Sequence, residues 1–283
     1  MDNPKVFEYS SAAVPIIDEL KPNTLMIHSN TQDKITTPNL EIRYIYFEDN
    51  NIDQNVSNCS SHVFYVINGH GNTILDGRVI KWSKGDIFTL PYQKDPIKHI
   101  GNSDTILFYA NDRPLFDFLK ATPREARFLP TYYNSSKMME YIDSFNKEEG
   151  AEKRNRNGIL LSNSQMVDEK MNTLTHTMWS LLNSIHANTV QNPHKHNSIA
   201  VDLCIYADEE NDGKVYTLMG KNLDQNGSII DPIKMVWKTG CTFTTPPGWW
   251  HSHHNDSEKT AWVFPVQDAG LHTYLRTLNI QFV

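Results

Sequence analysis

Three histidines in the second half of this 283-residue chain are spaced for metal chemistry. His194 and His196 stand two apart in Pro193-His194-Lys195-His196, and His251 follows the run Pro246-Pro247-Gly248. In an extended strand alternate side chains share a face, so the first two imidazoles aim the same way. The proline–glycine turn ahead of His251 offers a third imidazole from another part of the fold. Three neutral imidazoles leave coordination positions open, the arrangement of a catalytic rather than a structural site, and such donors suit iron, zinc, copper or nickel. His253 shares the strand face of His251 and reads as an acid, a base or a hydrogen bond to substrate, or else as a surface histidine. His254 should face away. Trp249 and Trp250 read as walls of a substrate pocket or as core.

Gly240, Pro246, Gly248, His251 and Asn255 meet every defined position of the second cupin motif, G-x5-P-x-G-x2-H-x3-N, and His194 and His196 open the first. The glutamate of that first motif falls on Ala200 or Val201 and is absent. The chain therefore resembles the three-histidine branch of the cupin family. Residues 178–266 are similar to the iron-bearing cupin of gentisate and salicylate dioxygenases. The stretch 64–119, with its exit Asn111-Asp112-Arg113-Pro114, is similar to their other cupin, in inverted order.

This resemblance implies an all-β bicupin, two jelly-roll barrels, acting as a dioxygenase on a small cyclic or aromatic metabolite and O2. It implies Fe(II) on His194, His196 and His251, with zinc, manganese or nickel as the other metals to consider, and a homo-oligomer, dimer or tetramer. Two pocket positions depart from the family. Asp202 stands where an arginine holds the substrate carboxylate, and Pro265 where an acidic residue is found. A carboxylate in place of a guanidinium repels an acidic substrate, which argues against gentisate itself. An Asp202 that faces the metal would favour a substrate with an amine or hydroxyl donor; otherwise it caps a loop or pairs with a lysine. The rival readings are a non-oxidative isomerase, lyase or hydrolase using zinc, manganese or nickel as a Lewis acid, and a non-enzymatic module that binds a small ligand.

The elements that must position these groups are short strands. From His62 to Tyr109, Gly, Asp and Pro turns recur every eight to twelve residues, the punctuation of an antiparallel sandwich or barrel. A similar plan follows residue 174, which makes the chain an internal repeat. Residues 1–112 are expected to form a first barrel, 113–160 a helical connector with an exposed run at 147–157, and 161–283 the barrel with the metal site. Residues 48–61 are expected as a loop, and 196–206 as one continuous strand. In the first barrel His62 occupies the carboxylate position and Pro96 the second-motif histidine position, so no metal is expected there; His70 and His99 read as surface or core histidines.

Composition limits the alternatives. A net charge of −7 and a pI near 5.9 give no basic footprint for nucleic acid. No long apolar run or leader opens the chain, so no membrane partner is expected and a cytoplasmic protein is the default. Three cysteines, Cys59, Cys204 and Cys241, lack metal spacing and read as free thiols.

Overall fold

The computed structural model describes residues 25–28, 36–47, 51–54, 58–151, 157–208, 210 and 213–283. The expectations for 5–24, 48–50, 55–57 and 152–156 lie outside the described residues. In the first half the strands are β1 (Leu25–His28), β2 (Glu41–Tyr46), β3 (Asn51–Gln54), β4 (Ser61–Asn68), β5 (His70–Leu75), β6 (Arg78–Ser83), β7 (Ile87–Pro91), β8 (Ile97–Gly101) and β9 (Ile106–Asn111). Helix α1 (Arg113–Leu119), strand β10 (Thr131–Tyr133) and helix α2 (Ser135–Asn146) follow. The second half runs β11 (Asn157–Leu161), α3 (Ser164–Asp168), β12 (Trp179–Ile185), β13 (Thr189–His196), β14 (Ala200–Tyr206), β15 (Val215–Gly220), β16 (Ile233–Val236), β17 (Thr242–Thr245), β18 (Trp250–Asn255), β19 (Ala261–Gln267), α4 (Ala269–Tyr274) and β20 (Ile280–Phe282).

Each half is a pair of antiparallel sheets. The first has the order β1-β2-β9-β4-β7-β10 facing β3-β8-β5-β6; the second has β11-β12-β19-β14-β17 facing β16-β15-β18-β13-β20. Alternation along the strands decides what each face buries. Phe64 and Val66 of β4 join Trp82, Phe88 and Tyr109 inside the first barrel, whereas Val63 and Tyr65 point the other way. Cys204 of β14 and Val263 of β19 point into the second barrel; Val201, Leu203 and Phe264 point out of it. The outward sets meet, with Phe264 lying 5.8 Å from Tyr65 and 6.1 Å from Phe108 between ring centroids. The barrels thus share a core back to back.

Three expectations differ from the structure. Residues 51–54 are not loop: they pair with β8, Ile52 opposite His99, and Gln54 accepts a hydrogen bond from the His99 ring. The stretch from His196 does not continue as one strand, because the chain turns at 197–199 and the Ser198 carbonyl is taken by the His196 imidazole at 2.8 Å. The connector is not only helical; it gives a strand to each half, β10 pairing with β7 and β11 with β12.

Candidate metal centre

His194 and His196 close β13 and His251 opens β18, its antiparallel neighbour. Pro193 has no N–H for the ladder and sits where the register shifts: Gln191 faces His253, but His194 faces His251. The turn into β18 is fixed by Gly248, which adopts a left-handed φ of 74° and donates its N–H to the His196 carbonyl at 2.7 Å. One ligand strand is thereby stitched to the start of the other. The three rings are buried. Ring centroids lie 3.9 Å apart for His194 and His251, 4.9 Å for His196 and His251, and 6.1 Å for His194 and His196. One nitrogen from each lies within 4.8 Å of the others.

Backbone carbonyls set the tautomers. A carbonyl can only accept, so the His196 Nδ1–H donates to Ser198 and the His251 Nδ1–H donates to the Trp249 carbonyl at 3.1 Å. With the proton on Nδ1, Nε2 is the basic nitrogen of both rings, the one that could act as a metal donor, which is how outer hydrogen bonds orient ligating histidines. Burial, and then the neighbouring His194, His196 and His253 rings, hold the His251 pKa well below its usual value. Neutral imidazole is the form that binds a metal, so the donor set fits a divalent cation.

The remaining motif residues are spoken for elsewhere. Asn255 donates to the carbonyls of Ile185 and Lys259, both at 2.8 Å, and organises the loop after β18. His253 is buried, and its Nδ1 lies 2.8 Å from the Thr217 hydroxyl, which also accepts from the Trp237 indole N–H at 2.8 Å. The first barrel repeats this chain: His99 Nδ1 meets Thr73 at 2.9 Å, and Thr73 accepts from Trp82 at 2.9 Å. The registers match too, Thr73 opposite His99 and Thr217 opposite His253. By that equivalence Ile97 occupies in the first barrel the place of His251. A Trp–Thr–His chain found in both barrels is a device for filling barrel interiors. His254 faces away, stacked on Tyr216 at 4.8 Å.

A cavity of about 330 Å³ opens beside His194 and His196. Its walls are Gly158, Ile159 and Leu160 of β11, Trp179, Leu181 and Asn183 of β12, Gln267 of β19, and Leu278, Ile280 and Phe282 at the C-terminal strand. Phe282 stacks on the His194 ring at 5.9 Å and 19°. The expected pocket residues do not line this space. Trp249 lines a separate cleft with Met219 and Lys221, and Trp250 is covered by the Lys195 ammonium 4.6 Å from its ring, on the other face of the ligand strand. Asp202 lies on the inward face of β14 and accepts from the Thr245 hydroxyl at 2.7 Å; it belongs neither to the cavity wall nor to the histidine cluster. Trp179 and Phe282 carried only an apolar signal in the sequence, indistinguishable from core or from an exposed strand end.

Histidines of the first barrel are held in other ways. His62 contacts the Tyr109 hydroxyl at 2.7 Å inside the core, His99 is fully buried, and His70 is exposed. The three cysteines are buried and form no disulfide among the described residues. Among the described residues no helix is long and apolar enough to cross a membrane.

No family profile matches the chain. Over 71 residues it is 34% identical to a 5-aminosalicylate 1,2-dioxygenase of Comamonas sp, a match covering 25% of this chain and 19% of that relative, so the chain spans about a fifth of the relative's length. Among solved structures, a variant of salicylate 1,2-dioxygenase from Pseudoaminobacter salicylatoxidans superposes with a TM-score of 0.68 at 14% identity, over 91% of this chain and 79% of that one. A variant of the same enzyme in complex with gentisate gives 0.68 over 94% and 81%, also at 14% identity. Oxalate decarboxylase of Bacillus subtilis, whose structure concerns Mn(II) centres, gives 0.52 at 12% identity, over 81% and 68%. The fold they share with this chain is the bicupin.

Proposed function

We propose that this protein is a metal-dependent dioxygenase that cleaves a small aromatic ring with O2, using Fe(II) on His194, His196 and His251. The observation that carries the reading is the three-histidine cluster, two of whose members, His194 and His196, line an apolar cavity of about 330 Å³. The bicupin likeness to salicylate 1,2-dioxygenase and the partial match to 5-aminosalicylate 1,2-dioxygenase support it. Bound iron would supply the electron transfer that lets O2 react with an aromatic ring.

The protein's own part is binding and orientation. Trp179, Leu181 and Phe282 bracket a flat ring beside the histidines, and holding reactants side by side removes much of the entropic barrier. The wall is largely apolar and its mouth is rimmed by the exposed side chains of Leu160, Ile280 and Phe282, which a bound ring would cover. Ser198 and Trp249 keep the Nδ1 protons of His196 and His251 in place throughout. His253 and Asp202 serve in this reading as interior supports, held by Thr217 and Thr245.

The test is metal analysis with an oxygen electrode. Protein loaded anaerobically with Fe(II) should consume O2 only when a small hydroxylated or aminated aromatic is present, and a chelator should abolish uptake. His251→Ala should lose both metal and uptake, whereas His99→Gln should keep its metal. The second reading, a non-oxidative lyase, is favoured by the oxalate decarboxylase fold likeness. Turnover under nitrogen with manganese or zinc would establish it in place of the first, although apolar walls suit a ring better than a small dianion.

A further inference from the structure

The segments that lead into β2 and β12 are built alike. The Thr37 hydroxyl accepts from the Leu40 N–H at 2.8 Å, and the Thr175 hydroxyl accepts from the Met178 N–H at 3.0 Å. The strands that follow keep the same register, Glu41 opposite Asn111 and Trp179 opposite Gln267, so Asn39 and Thr177 are equivalent positions. Each reaches across to the other half. Thr177 donates its hydroxyl to Asp112 Oδ2 at 2.9 Å, and Asn39 donates its amide to Asp268 Oδ2 at 2.7 Å. Both carboxylates stand just past the end of a strand, β9 or β19, and both give their other oxygen to the main chain at the head of the neighbouring strand. Asp112 Oδ1 accepts from the Ser60 and Ser61 N–H groups at 2.7 and 3.2 Å, and Asp268 Oδ1 accepts from the Ile199 N–H at 2.9 Å.

The two clasps differ in what they hold. Ile199 ends the turn that follows His196, and Ser198 beside it supplies the carbonyl that takes the His196 Nδ1 proton at 2.8 Å. The Ser198 hydroxyl donates to Gln267 Oε1 at 2.9 Å, which leaves a lone pair of that hydroxyl for His196 Nδ1 at 3.1 Å. Gln267 and Asp268 thus grip Ser198 and Ile199 as a pair, all four buried. The front of the turn is tied separately: Asn197 donates to the Thr277 carbonyl at 2.9 Å and accepts from the Asn279 N–H at 2.8 Å. The Asp268 end is the one that reaches the first half, and with a donor on each oxygen the plane of its carboxylate is set from both halves. Resting on the reading of the three histidines as a metal centre, we propose that Asn39 is a positioning residue for that centre: the first half holds the carboxylate that holds the turn that orients His196. Losing an outer hydrogen bond of a ligating histidine typically weakens metal binding about 10–100-fold; Asn39 acts one step further out, through Asp268, so its removal should cost about three- to tenfold. Metal binding in the second barrel is thereby linked to the seating of the first against it.

The test sets the two clasps against each other in the whole chain. Affinity for Zn(II) and Co(II) is measured by competition with a chromophoric chelator, and the visible absorption of bound Co(II) reports the geometry of its ligands. Asn39→Leu should weaken both metals about three- to tenfold and shift the Co(II) spectrum. Thr177→Val removes the equivalent contact on Asp112 and is the matched control: it should lower the unfolding midpoint, as Asn39→Leu does, and leave metal affinity and the Co(II) spectrum at wild-type values. Asn39→Ala is the second variant should leucine not fold. A folded Asn39 variant with wild-type affinity and spectrum overturns the proposal, and so does Thr177→Val weakening the metal equally, since lost stability would then account for both. Oxygen uptake by the Fe(II) form is scored separately. Wild-type protein that binds Co(II) and shows the Asn39 effect, but consumes no O2 with any aromatic, keeps this inference and removes the oxygenase reading; O2 uptake with an unchanged Asn39 variant does the reverse. Wild-type protein that takes up neither metal removes the metal centre and this inference with it.

Discussion

A buried imidazole is defined by what its two nitrogens are given. At His196 and His251 the main chain takes the Nδ1 proton, which makes Nε2 the basic nitrogen; at His99, Gln54 takes the Nε2 proton at 3.0 Å, and Nδ1 accepts from Thr73. The residue type is the same, but only the first arrangement presents lone pairs to an ion. Full burial pushes the His99 pKa down to about 3, and burial together with the neighbouring His99 brings His62 to about 3 as well. The folded value lies below the unfolded value of roughly 6.5. Above that pH both states are neutral and stability is flat; below it the unfolded chain takes up protons that the folded chain refuses. Each of these histidines should therefore remove about 1.4 kcal/mol of stability per pH unit as pH falls from roughly 6.5 towards 3. Urea unfolding of His99→Gln between pH 6 and pH 4 should show a slope shallower by about one proton than wild type. An unchanged slope would mean that His99 is protonated in the fold.

At the scale of elements, the C-terminal strand matters more than its size suggests. β20 is three exposed residues at a sheet edge, paired across both ligand histidines, with Phe282 opposite His194 and Ile280 opposite His196. It contributes little to stability and much to the cavity wall. Phe282→Ala should weaken binding of a small aromatic ligand by about 0.5–1.5 kcal/mol, the range of a ring-on-ring contact, with metal content unchanged and unfolding free energy altered by less than about 1 kcal/mol. Calorimetric titration beside denaturant unfolding measures both. A large loss of stability with unchanged binding would make β20 a structural brace instead.

The same strand marks where sequence reading stops. Glycine, proline and histidine at fixed offsets announced His194, His196 and His251, because turn geometry and strand parity are local. The cavity wall is assembled from β11, β12, β19 and β20, which lie far apart in the chain, and which apolar residue faces the site depends on sheet edges meeting. Trp249 and Trp250 are expected as pocket walls from their adjacency to His251; Trp249 lines a cleft with Met219, and Trp250 lies under the Lys195 ammonium.

For the whole molecule, the largest hydrophobic cluster belongs to neither barrel alone. It takes Leu40, Tyr44, Tyr65 and Phe108 from the first half and Leu182, Val201, Leu203 and Phe264 from the second. Polar contacts cross the same seam: the Thr177 hydroxyl donates to Asp112 at 2.9 Å, and Asn39 donates to Asp268 at 2.7 Å. Halves joined in this way should melt as one unit. Phe264→Ala should cost about 3–5 kcal/mol and move a single calorimetric transition, not split it. Two transitions, with only the later one shifted, would show that the barrels fold independently.

The protons that fix His196 and His251 rest on the carbonyls of Ser198 and Trp249. Every amino acid carries that oxygen, so no codon change can delete it. Ancestral drift can repaint the walls around these rings, residue by residue, while the direction in which each imidazole carries its proton passes down unedited.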